Sequence, residues 1–150
     1  MSLVFNVSGT YPQLLRKRAL SSLKWAERAL AEGDYDFAVR EAEYAIQLFL
    51  KSIIYRIAGE EVRGHNIREL LSVLTSALIE EGLNDEAFRI VEYVRKHRRE
   101  LAELAYAHTK ATYGLLEYGE KEAKIIFNIV KNLMEELEKL EAKIFGQESP

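Results

Sequence analysis

The sequence predicts an all-α protein, a five-helix up-and-down antiparallel bundle, and three observations carry that prediction. Apolar residues recur at gaps of three and four through most of the 150 residues, the spacing that lines one face of an α-helix. Only two prolines occur, Pro12 and Pro150, so no interior helix is interrupted. Glycines stand where those periodic runs stop, and no alternating run has a partner run to make a sheet.

The first helix is expected from Pro12, a residue suited to a first turn, to Glu32, on the stripe Leu15, Ala19, Leu23, Ala26 and Leu30. Residues 1–11 are read as a tail, and Trp25 as partly buried beside the stripe. Gly33 supplies a left-handed C-terminal position and Asp34 a cap, a corner short enough to set the next helix antiparallel. That second helix, Tyr35 to Ala58, is apolar nearly all round in its later half, with Ile46, Leu48, Phe49, Leu50, Ile53 and Ile54, and so belongs inside the bundle. Gly59 ends it.

Asn66 followed by Glu69 predicts the start of a third helix, whose stripe is Ile67, Leu70, Leu71, Leu74 and Leu78 and which stops at Gly82. Asn84 or Asp85 is expected to cap a fourth, running on the stripe Ala87, Val91, Val94, Leu101 and Ala105 to an end between His108 and Gly114. The fifth begins near Gly119 and reaches Phe145, leaving 146–150 as a second tail; residues 12–145 make one domain. Its stripe of Ala123, Ile126, Val130, Leu133, Leu137 and Leu140 suits either a bundle face or a self-association seam.

Composition narrows the function classes. The chain has no cysteine, which excludes disulfides, thiolate zinc sites and cysteine nucleophiles. No basic start followed by an apolar core suggests secretion, and no long apolar run suggests a membrane span, so the expected location is cytoplasmic, with no membrane partner. The sequon Asn6-Val7-Ser8 has no meaning without secretion. A formal net charge of −3 does not mark a nucleic-acid binder, so phosphate recognition must come from a local patch. The patch is Arg95-Lys96-His97-Arg98-Arg99, balanced in part by Glu92, Glu100 and Glu103. Arg95, Lys96 and Lys110 are candidate nucleotide or RNA contacts, with Tyr113 as a base-stacking aromatic. The bland alternative is a solvated helix surface.

The corner Ala29-Leu30 with Gly33-Asp34-Tyr35 and Ala38, the run Glu41 to Lys51, and Gly59 followed by Gly64-His65-Asn66-Ile67 and Glu69-Leu70-Leu71 together resemble the HEPN family (higher eukaryotes and prokaryotes nucleotide-binding). The corner is also similar to a tetratricopeptide repeat, but no second Gly-x-Tyr-x-x-Ala follows at the required period. The HEPN resemblance implies an α-helical bundle that often forms a homodimer. It implies a metal-independent ribonuclease toxin working through Arg-x(4–6)-His, or a partner of a minimal nucleotidyltransferase in toxin-antitoxin pairs, or a nucleotide binder without catalysis.

RNA cleavage without metal needs a base for the 2′-hydroxyl and a cation beside the phosphate. None of the three histidines, His65, His97 and His108, has an arginine five to seven positions before it; Arg89 precedes His97 by eight. A second pattern in small members, an Arg-Tyr pair, meets Thr112-Tyr113 here, with threonine in place of arginine. No catalytic residue is assigned with assurance; the candidates are His108, Arg98 and Arg99. His108 fits a remnant general base, a phosphate donor or a helix-end histidine held by the macrodipole, the last being the plainest reading. His65 is read as structural. With no Glu-x-x-His pair and no glycine-rich phosphate loop, no metal and no cofactor is expected. The leading expectation is a non-catalytic or degenerate HEPN protein binding a nucleotide or a nucleotidyltransferase. A ribonuclease with a rearranged site, or a purely structural interaction bundle, stands as the alternative.

Overall fold

The computed structural model describes the backbone of residues 2–64, 66–113 and 117–146, and the side chains of 11–64, 66–110 and 117–146. Within these the chain is helical throughout: α1 (Ser2–Glu32), α2 (Tyr35–Ala58), α3 (Ile67–Glu80), α4 (Asn84–Lys96), α5 (Arg98–Tyr113) and α6 (Glu120–Phe145). The helical class and the bundle are as the periodicity predicts.

Two boundaries differ from the sequence expectation. α1 begins at Ser2, ahead of Pro12, so most of the expected tail has helical backbone and Pro12 lies inside the helix, where it brings no N–H to the ladder. The expected fourth helix is two, which makes six helices in place of five. His97 breaks it, with φ −113° and ψ 32°. Its ring Nδ1–H donates to the Tyr93 carbonyl at 3.0 Å, and its ring stacks on Tyr93 with centroids 4.0 Å apart. A side chain bonding a carbonyl of the preceding turn competes with the helix's own ladder. The apolar stripe runs on across such a break, which is why periodicity alone misses it.

α2 lies at the centre, packed against α1, α3, α5 and α6. Ala42, Ala45, Ile46, Phe49, Leu50 and Ile53 are wholly excluded from solvent. Gly33 takes φ +82° at the α1–α2 corner, a left-handed conformation that costs glycine least. Asp34 occupies the cap position there without making a side-chain cap bond, whereas Asn66 caps α3 by accepting from the Arg68 and Glu69 amides at 2.9 and 3.3 Å. Leu83, not Asn84 or Asp85, is the residue preceding α4.

The α6 stripe is consumed by the chain's own core: Val130 and Leu137 are fully buried, and Leu133 and Leu140 nearly so. It is a bundle face, and not an open seam. Trp25 is 48% exposed, more open than its place beside the α1 stripe suggests, and lies beneath the Arg28 guanidinium at 5.0 Å. Polar residues close one end of the bundle, where the buried Glu141 carboxylate takes Arg16 at 3.1 Å and Arg56 at 3.5 Å. Among the described residues, no helix is long and apolar enough to cross a membrane.

Candidate functional site

The central helix carries two polar residues on its buried side, Glu43 and Gln47, one helical turn apart and each only 6% exposed. A carboxylate so far from water must be hydrogen-bonded or paired. Gln47 donates to Glu43 Oε1, and from α5 His108 brings Nδ1 to 2.5 Å of the same oxygen. His108 keeps about a third of its side chain exposed. A buried carboxylate on one ring nitrogen fixes the orientation of the imidazole, leaving the other nitrogen to meet a ligand. His108 is therefore tied to the bundle interior by a residue far away in sequence, in place of the helix-end role expected for it. Glu43 was not singled out from the sequence; the available signal was a glutamate with glutamine four residues on, both facing the core side of the most apolar helix.

The basic segment does not join this pair. Arg98 begins α5, and ten residues at 1.5 Å each set it about 15 Å along the axis from His108. Arg99, nine residues away, projects from roughly the opposite side of the helix to His108. The arrangement expected for a rearranged ribonuclease site, with Arg98 and Arg99 around His108, is not assembled. Among the described residues no group of three or more histidines and carboxylates is placed to hold a metal ion.

The other candidates are distributed over two grooves. Arg99 lines a groove between α5 and α6 of about 430 Å³ with Tyr106, Lys110, Tyr118 and Ile125. Lys110 is committed there: its ammonium lies 3.4 Å from Glu122 and 4.5 Å from the centre of the Tyr118 ring. Tyr118, buried at the start of α6, has its hydroxyl pushed up to about 12 by desolvation, with nearby carboxylates adding to the shift.

Arg95 and Arg98 fall in a larger groove of about 610 Å³ between α3, α4 and the start of α5. Arg68, which the sequence reading did not consider as a site residue, completes a cationic end. Ser72 and Ser76 line it from α3, and Leu71, Val94 and Leu101 give it an apolar lining. Arg95 donates to Glu92 at 2.8 Å, which raises its already high pKa. Arg68 and Arg98 make no side-chain ion pair among the described residues. Lys96 is exposed at the end of α4. Tyr113 and Thr112 have helical backbone but their side chains lie outside the described set, as does His65 altogether.

A family model described as HEPN domain matches residues 12–140, nearly the whole of the bundle. No curated protein and no solved structure matches the chain significantly.

Proposed function

The chain belongs to the HEPN domain family, and from that premise we propose that it acts by binding and not by cutting RNA. Its proposed ligand is a nucleotide, or a minimal nucleotidyltransferase partner of the toxin-antitoxin kind, and its proposed setting is cytoplasmic. One observation carries this reading. The histidine best placed for chemistry, His108, has no arginine within a helical turn or two before it, while the arginines of the basic segment serve separate grooves. Metal-independent cleavage needs the base and the phosphate-steadying cation at one reacting group. Here a separation of about 15 Å keeps Arg98 from sharing a scissile phosphate with His108.

The Glu43–His108 pair favours a second reading, a ribonuclease in which the carboxylate orients the histidine and a second copy of the chain supplies the cation. Homodimerisation is part of that alternative. Incubating the purified protein with RNA in chelator, beside His108→Ala, separates the two. Intact RNA in both samples is the expected result; cleavage by the unchanged protein that is lost in His108→Ala would overturn the binding-only reading.

A further inference from the structure

We propose that the groove between α3 and α4 binds an organic polyphosphate, a molecule carrying two or three linked phosphates on an apolar or aromatic body. The proposal deepens the binding reading above and rests on it. α3 and α4 pack together on either side of a turn in which Gly82 takes φ +75°, so distance along each helix from that turn orders the residues that line the groove. Ser76 and Val91 lie nearest the turn, Ser72 farther along, and Arg95, Arg68 and Arg98 farthest, all of them lining residues. One turn nearer the corner come Ile79 and Phe88, 54% and 63% exposed. The surface therefore grades from three guanidiniums at one end, through hydroxyls, to an exposed aromatic and aliphatic pair at the other. Arg68 to Ile79 spans about 16 Å at 1.5 Å per residue.

The charge arrangement selects the ligand. Three like charges gathered at one end repel one another, and among the described residues Glu92 engages Arg95. Arg68 and Arg98 thus have their planar forks of N–H donors available, a geometry matched to phosphate oxygens. A chain of phosphates places several negative charges within the space of that one end. An acidic helix would spread its carboxylates at about one per 5 Å turn along the whole groove, where α3 and α4 offer only hydroxyls and apolar side chains. The Ser72 and Ser76 hydroxyls suit a polar linker such as a sugar, and Val91 and Phe88 suit a ring or alkyl body. The volume, about 610 Å³, falls in the range of small-molecule sites.

Calorimetric titration with ATP, tripolyphosphate and adenosine tests the site, using the full chain at low and high salt without added metal. ATP is expected to bind, adenosine to bind far more weakly, and the ATP affinity to fall as salt rises. Replacing Arg68 and Arg98 together by alanine should weaken ATP binding by at least about tenfold, since each charged hydrogen bond is worth that much. Arg28→Ala, which removes a cation from α1, should leave it unchanged, and both variants should keep the helical circular dichroism of the parent. ATP binding that survives in the Arg68/Arg98 variant would overturn the site while leaving the binding reading intact. Absence of ATP and tripolyphosphate binding to the parent protein would overturn the proposal itself, with the RNA cleavage assay still deciding the broader reading. Tighter binding of single-stranded RNA than of ATP through the same arginines would reassign the groove to nucleic acid.

Discussion

Glu43 and His108 are 65 positions apart in the chain and 2.5 Å apart in space. The carboxylate gives up water to lie against α5, and the imidazole and the Gln47 amide offset that loss. Residue chemistry of a different kind marks Tyr93 and Tyr118, both pushed up to about 12, first by burial and then by nearby carboxylates. A tyrosine whose folded pKa is raised lends stability that is whole below the unfolded value of about 10 and lost as pH climbs to about 12. Urea midpoints measured from pH 9 upward should therefore hold to about pH 10 and then fall. Replacing both tyrosines by phenylalanine should flatten that fall, and an undiminished fall would assign it to other groups. Tyrosine burial was not legible in the sequence. Tyr93 and Tyr106 sit in the same kind of charged, helical surroundings, yet Tyr106 is 66% exposed and Tyr93 donates to Asn132 on α6 at 2.8 Å.

Elements were far more readable than residues, and their ends show why. Gly33, Gly59 and Gly82 each adopt a positive φ just after a helix, and each was marked by a glycine at the end of a periodic stripe. Gly33→Ala would keep the space around the corner nearly open, the nearest atom to the new Cβ being the Tyr35 hydroxyl at 3.9 Å, but would force an L-residue into the left-handed region. A loss of about 1 kcal/mol in urea unfolding is expected, with the α1–α2 hairpin retained in circular dichroism. No measurable loss would mean that the corner relaxes to another turn. The break at His97 is the counter-case. Its cause is a ring that bonds the Tyr93 carbonyl and stacks on the Tyr93 side chain, and neither contact leaves a mark on hydrophobic periodicity. Arg95 and Arg98, on either side of that break, line one groove, while Arg99 lines another.

At the scale of the whole molecule, α2 organises everything: α1, α3, α5 and α6 all pack on it, and α4 is held through α3 and α5. The α6 stripe completes this core, so Leu137, with no exposed surface, works within the chain. Leu137→Ala should cost about 2–5 kcal/mol of unfolding free energy, as large-to-small changes in buried sites do. Its mass by light scattering should match the parent's; a change of oligomeric state would return the stripe to the role of a seam. What the sequence alone determined is the helical class, the helix ends marked by Gly33, Gly59 and Gly82, the buried character of α2 and the likeness to the HEPN family, because periodicity, glycine corners and caps are local and each is written within a few residues. What only the tertiary structure decided is which charges meet. The pairing of His108 with Glu43, the separation of His108 from Arg98 and Arg99, and the gathering of Arg68 with Arg95 and Arg98 depend on how helices pack across the bundle, a long-range outcome that no stretch of chain encodes by itself.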